Sequence, residues 1–145
     1  MKVKDIMKRN VLILRKDATI KDALDLMIEN SVGSVIILES NKIVGIVTER
    51  DLLRKILSHN KPLDTKIEEI MTRNIITVFA DEKVEKAAEI MTENKIKKLP
   101  VIDGGKLVGI ITLTDIVASG VKLEDAILKK LGKWFPVGKK PSIGG

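Results

Sequence analysis

Hydrophobic positions along the chain change their period in a fixed order, and they do so twice. Ile20, Ala23, Leu24 and Met27 stand at helical spacing with polar residues between them, which predicts an amphipathic helix. Two short apolar runs follow at 35–38 and 43–47, and Glu39-Ser40-Asn41 between them has the composition of a hairpin turn. Ahead of the helix lie a short helical segment at 3–8 and an apolar stretch at 11–14; a closing helix begins near Glu49. The second passage runs through a helix at 67–72, an apolar stretch at 75–79, and a helix carrying Val84, Ala87, Ala88 and Met91. Strands at 99–102 and 107–111 then flank Asp103-Gly104-Gly105, and a helix starts near Leu113. Thr65-Lys66-Ile67-Glu68 reads as a capping box for the second opening helix. Asn30 and Asn94 read as left-handed C-caps.

The two passages are one sequence written twice. Ile6-Met7-Lys8-Arg9-Asn10 returns as Ile70-Met71-Thr72-Arg73-Asn74, an offset of 64 residues. Without a gap, Asp17 then meets Asp81, Glu29-Asn30 meets Glu93-Asn94, and Val44-Gly45-Ile46 meets Val108-Gly109-Ile110. Thr48 meets Thr112 and Asp51 meets Asp115. A unit of roughly 60 residues buries little apolar surface alone. The expectation is therefore an α/β protein of two repeats, 1–60 and 61–120, joined by a polar connector around Pro62 and followed by a tail at 121–145. In the tail a helix is predicted over 123–131, stopped by Gly132. Trp134 and Phe135 would dock on the chain's own core or a dimer mate, or serve as a hook for another protein. Residues 139–145 are expected to be mobile.

Composition narrows the function classes. The chain is 44% hydrophobic and 32% charged, and no apolar run approaches the roughly 18–20 residues of a membrane span. Without cysteine there are no disulfides, thiolate metal sites or cysteine nucleophiles, which fits a cytoplasmic protein. A net charge of +6 favours anionic partners, although abundant lysine also suits a heat-adapted surface. Aromatics make up only 2%, too few for stacking along a single-stranded nucleic acid. His59, the only histidine, stands at a helix end, and nothing around it resembles a metal or acid–base set. The sequence contains no P-loop and no nucleophile elbow.

The candidate chemistry is a strand ending in Gly-x-x-Thr-x-x-Asp, present as Gly45–Asp51 and as Gly109–Asp115. Thr-x-x-Asp ahead of an apolar helix is a capping box, which satisfies free N–H groups. The same corner could hold a nucleotide, the threonine donating to a phosphate and the carboxylate accepting from two ribose hydroxyls. The glycine would let a ligand or another backbone come close. The motif alone does not choose between capping and binding.

The repeat with this motif resembles the CBS (cystathionine-beta-synthase) domain family over nearly all of residues 3–118. Met71-Thr72-Arg73-Asn74-Ile75-Ile76-Thr77-Val78 is similar to the family's opening phrase, and Ile96-Lys97-Lys98-Leu99-Pro100-Val101-Ile102-Asp103 to its Leu-Pro-Val stretch. The resemblance implies a tandem CBS pair: two small three-stranded sheets with flanking helices, related by a pseudo-two-fold axis. It implies a non-catalytic sensor of an adenosine ligand (AMP, ADP, ATP or S-adenosylmethionine), with no catalytic cofactor. It also implies a homodimer acting on a separate protein effector.

By position, the resemblance places Ile46, Thr48, Arg50, Asp51, Met71, Ile75, Ile76, Lys97 and Lys98 in a first cleft. A second would take Ile110, Thr112, Thr114, Asp115, Met7, Val11, Leu12, Gly33 and Ser34. With three cations, Arg50, Lys97 and Lys98, the first is expected to bind phosphorylated ligand more tightly. The first repeat departs from the family in having Val35-Ile36-Ile37 in place of Leu-Pro-Val. The alternatives are a nucleic-acid-binding protein, suggested by the charge, and an interaction scaffold with vestigial clefts.

Overall fold

The structure is a computed structural model that describes residues 1–134. The chain divides into two units, and their limits cut across the sequence repeats. One is Arg9–Ile76; the other joins Met1–Lys8 to the chain from Thr77 on. The opening segment of each repeat thus folds with the body of the other repeat.

In the unit Arg9–Ile76, strand β1 (Ile13–Arg15) runs parallel to β2 (Ser34–Glu39), and β2 pairs antiparallel with β3 (Lys42–Thr48). A parallel step needs a crossover, and helix α2 (Ile20–Asn30) supplies it. Thr19 caps α2: its Oγ1 accepts the Asp22 N–H at 3.2 Å, and Asp22 Oδ2 accepts the Thr19 N–H at 2.9 Å. Hydrogen bonding from Thr19 holds the Asp22 carboxyl below the usual carboxylate range. The helical period puts Ile20, Ala23 and Met27 on one buried face, packed with Val35, Ile37 and Val47 of the sheet and with Ile67, Ile70 and Met71. Helix α3 (Glu49–Leu52) follows β3 and continues as a wider π-helical turn, Leu53–Ser58. His59 is its exposed C-cap.

The capping box expected at Thr65 does not form. The Thr65 hydroxyl and the Thr65 N–H, the two N-cap groups the box would use, both donate to the Pro62 carbonyl, at 2.6 and 3.0 Å. With its backbone groups committed outward, the second opening segment makes only a single 3-10 turn, Ile67–Glu69. The first is similarly short: α1 (Val3–Ile6) ends because Met7 turns extended, with φ −64° and ψ 155°.

In the other unit, β4 (Val78–Phe79) runs parallel to β5 (Lys98–Asp103), which pairs antiparallel with β6 (Lys106–Thr112). Helix α4 (Val84–Asn94) is the crossover, α5 (Leu113–Ala118) follows β6, and α6 (Asp125–Trp134) lies along α4. Val84, Ala87, Ala88, Met91, Leu99, Val101, Ile111 and Ile116 are buried. The N-terminal segment is tied in by backbone bonds from Val3 to Glu82 (2.8 Å) and from Lys4 to Ala80 (3.0 Å). Lys4 Nζ also meets Asp81 Oδ1 at 2.9 Å, a hydrogen bond that lowers the Asp81 carboxyl and raises the Lys4 ammonium from their ordinary values. Each sheet is mixed, three-stranded and flanked by helices, as the sequence leads one to expect.

Both hairpins turn on two left-handed residues, Ser40 and Asn41 (φ 49° and 65°) and Gly104 and Gly105 (φ 58° and 78°). The left-handed helix ends are Ser31 (φ 51°) and Lys95 (φ 55°), not Asn30 and Asn94. Each asparagine is instead the last helical residue, and its Nδ2 donates back to a carbonyl one turn earlier, Leu26 at 2.8 Å and Ile90 at 2.9 Å. Gly132 does not stop α6, which starts two residues later than expected and runs through the glycine to Trp134. Leu131 buries the inner side of α6, and Lys95 Nζ sits 3.8 Å from the centre of the Trp134 ring, so the tryptophan docks on its own unit. Phe135 and residues 139–145 lie outside the described residues. No helix among the described residues is long and apolar enough to cross a membrane.

A Cβ added at Gly132 would meet nothing within 4 Å. Gly132→Ala should therefore stabilise the protein by about 0.4–1 kcal/mol through reduced backbone entropy of the unfolded chain, read as a rise in urea midpoint. A fall in the midpoint would show that the helix needs the glycine.

Candidate functional site

Each closing strand turns into its helix at a threonine and an aspartate that hold each other. At the first corner the Thr48 N–H donates to Asp51 Oδ2 at 2.9 Å, the Thr48 hydroxyl donates to the same oxygen at 3.1 Å, and the Asp51 N–H donates back to Thr48 Oγ1 at 3.3 Å. At the second corner the Thr112 N–H donates to Asp115 Oδ2 at 2.9 Å and the Asp115 N–H to Thr112 Oγ1 at 3.1 Å. Both capping boxes of the sequence reading are therefore built, and both carboxylates are held half-buried before any ligand arrives.

A second element completes each corner. Lys8 exchanges two backbone hydrogen bonds with Ile110 of β6, both at 2.9 Å; Thr72 exchanges two with Ile46 of β3, at 2.9 and 3.0 Å. These clasps lay Met7 over Gly109 and Met71 over Gly45. A Cβ on Gly109 would lie 2.7 Å from both the Lys8 carbonyl oxygen and Met7 Sδ; one on Gly45 would collide with Met71 Sδ and Cγ. Of the two uses proposed for the motif glycine, close approach of another segment of the chain is the one seen.

The unit Arg9–Ile76 brings Ile46, Thr48, Arg50 and Asp51 together with Met71, and it also holds Ile75 and Ile76, both half-buried. Arg50 is exposed in the first turn of α3. Gly33, Ser34, Val11 and Leu12 belong to this same unit: Ser34 is paired with Thr48, the Glu49 N–H donates to the Gly33 carbonyl at 3.1 Å, and the Leu12 carbonyl accepts from Ile36 at 2.8 Å. The other unit groups Met7, Ile110, Thr112, Thr114 and Asp115. There Lys98 is paired with Thr112, and the Leu113 N–H donates to the Lys97 carbonyl at 2.8 Å.

Sequence reasoning passed over Lys8. Its Nζ lies 3.5 Å from Asp115 Oδ1, with the lysine side chain 61% exposed and the carboxylate 10%. The matching residue of the first corner is Thr72, and Asp51 has no ion-pair partner among the described residues. The signal was available: Lys8 faces Thr72 at the repeat offset, directly after a methionine already named for the site. The two corners differ in charge at the carboxylate itself.

Two matches to the sequence model of the CBS domain, residues 3–58 and 67–122, cover both repeats. The chain belongs to the CBS domain family. Among curated relatives of this CBS protein, the uncharacterized protein MJ1225 of Methanocaldococcus jannaschii is 34% identical over 116 residues; these cover 79% of this chain and 41% of that one, so the chain spans less than half of its relative's length. Among solved structures, the CBS domain pair of protein MJ0100, in complex with 5-methylthioadenosine and S-adenosyl-L-methionine, is 34% identical with a TM-score of 0.75, covering 83% of this chain and 95% of that one. The hexameric CBS-CP12 protein from bloom-forming cyanobacteria is 32% identical with a TM-score of 0.75, covering 81% and 66%.

The clasp makes a prediction that separates the two glycines. Gly109→Ala should destabilise by about 1–3 kcal/mol, because the obstructing atom is a backbone oxygen held by two hydrogen bonds. Gly45→Ala should cost less, since Met71 can swing its side chain aside. Urea unfolding of both variants checks the order; equal losses would sink the argument.

Proposed function

We propose that the chain is a non-catalytic regulatory module, working in the cytoplasm, that takes an adenosine-containing ligand at its threonine–aspartate corners and passes the signal to a separate protein. The observation that carries this reading is Asp51. Its Oδ2 is occupied by Thr48, while Oδ1 has no hydrogen-bond or ion-pair partner among the described residues. A half-buried carboxylate with one oxygen anchored and one available is suited to a vicinal diol, the feature a ribose presents. Support comes from MJ0100, a 34% identical CBS pair whose structure contains two adenosine compounds. Thr48 and Thr112 are the hydroxyl donors of the two corners, and Ile46, Met71, Ile75, Ile76, Met7 and Ile110 are aliphatic neighbours for a base. Such a ligand can switch a partner only through unequal affinity for two states.

We also infer that the module pairs with a second copy of itself. An apolar groove of about 710 Å³ runs between α2 and α3 with its π-helical turn, lined in part by Leu24, Met27, Ile28, Leu53, Ile56 and Leu57. Ile28 is 72%, Leu53 60% and Leu57 71% exposed. Large exposed aliphatics clustered along one groove favour a partner surface. Among its lining residues the charged one is Glu49, at the start of α3. A two-fold axis along the groove would set these aliphatic side chains of one copy against the same side chains of the next, as an isologous contact requires. In the second repeat α6 lies along the corresponding helix α4, with Thr92 in place of Ile28.

Two measurements test these readings. AMP, ATP or S-adenosylmethionine at saturating concentration should raise the melting temperature, and Asp51→Ala should weaken calorimetric binding more than Asp115→Ala does; no shift with any adenosine compound would remove the sensor reading. Light scattering should find a dimer that Leu53→Glu with Leu57→Glu converts to a monomer without lowering the melting temperature of the isolated fold. A wild-type monomer, or a variant that stays dimeric, would remove the groove from the interface.

A further inference from the structure

The two corners are built alike but are not electrically alike: Glu49 and Arg50 of the first correspond to Leu113 and Thr114 of the second, and at the carboxylate itself the difference is Lys8. Lys8 is pinned through its backbone to Ile110, so its side chain rises beside the aspartate that follows on the same β6–α5 corner. Asp115 Oδ2 is committed to the Thr112 N–H, and its remaining oxygen, Oδ1, faces Lys8 Nζ at 3.5 Å. The carboxylate is nine-tenths enclosed while the ammonium is mostly in water, so the lysine can move and the aspartate cannot. At the first corner the clasp is the same to within 0.1 Å in its backbone hydrogen bonds, but it brings Thr72, and Asp51 keeps its Oδ1 unpaired.

We propose that Lys8 makes the second corner selective for adenosine compounds with an anionic tail, a filter acting at the carboxylate that Asp51 of the first corner does not impose. This inference rests on the proposed adenosine-binding function and deepens it. A ribose diol reaching Asp115 must displace Lys8 from Oδ1. A neutral nucleoside breaks that ion pair and leaves the ammonium with water only. A cationic sulfonium tail adds repulsion from Lys8. A phosphate gives the displaced ammonium a new partner of the same sign as the one it lost, so one ion pair is exchanged for another with the diol bond gained. Asp51, with no ion pair to break, imposes no such filter.

The test is calorimetric titration of the 145-residue Asp51→Ala chain, in which only the second corner retains its carboxylate, with adenosine, AMP and S-adenosylmethionine. AMP should bind most tightly. Adding Lys8→Thr, the residue of the first corner, should weaken AMP about tenfold, as loss of one charge-assisted contact does, and leave adenosine unchanged or tighter. If Asp51→Ala melts below the titration temperature, wild type against Lys8→Thr gives the same ratio, with Asp115→Ala supplying the first-corner isotherm to subtract. An AMP-to-adenosine ratio that Lys8→Thr does not change, or an equal loss for both ligands, overturns the role of Lys8 while leaving adenosine binding in place. Absence of binding by the wild-type chain overturns the sensor reading itself, and this inference with it.

Discussion

The structure depends on a clasp of two backbone hydrogen bonds, made once at Lys8 and Ile110 and again at Thr72 and Ile46. Each clasp lays an irregular segment along the middle of a closing strand, and the strand can admit it only where a residue has no side chain. That is why the glycine of the Gly-x-x-Thr-x-x-Asp motif stands three residues before the threonine: the methionine preceding each clasped residue fills the space above it. The clasp is also what carries Lys8 to a carboxylate it could not otherwise reach, 107 positions further along the chain.

The threonine–aspartate pair does two jobs whose requirements agree. As a cap it satisfies N–H groups that a buried helix start would leave unpaired, a term of about 1 kcal/mol for such a residue. In doing so it fixes the carboxylate's orientation, so a ligand would meet an oxygen already in place rather than one it must order. Capping explains why the motif can be read as purely structural. The second carboxylate oxygen is what separates the readings, since capping uses only Oδ2 at both corners.

Most of the fold was legible because its elements announce themselves locally. The amphipathic helices at Ile20 and Val84, the hairpins around Asn41 and Gly104, and the repeat offset all follow from neighbours in sequence. What failed were ends, where a backbone group has several partners to choose from. Thr65 makes no box with Glu68 because its hydroxyl and its N–H both go to the Pro62 carbonyl, closing a turn three residues back. Asn30 and Asn94 stay helical because their amides can bond one turn back, which leaves the left-handed position to Ser31 and Lys95. Gly132 carries α6 onward because Leu131 is buried against the unit, and packing outweighs a propensity penalty of about 1 kcal/mol. At the candidate site the threonine–aspartate pairs were visible in the motif. Lys8 was not, because its role depends on which strand its backbone joins.

The exchange of opening segments has a consequence for how the protein is made. Met1–Lys8 is made before any of its partners, which lie around Ala80 and Glu82 and on β6. The unit Arg9–Ile76 has all its parts once Ile76 has emerged, and it can form while translation continues. The N-terminal segment must wait, with Val3 and Met7 uncovered, until roughly a hundred further residues have been added. Closing it onto β6 spans about a hundred residues, a long loop with a large entropic cost, so this unit can be completed only after Arg9–Ile76 has all its parts.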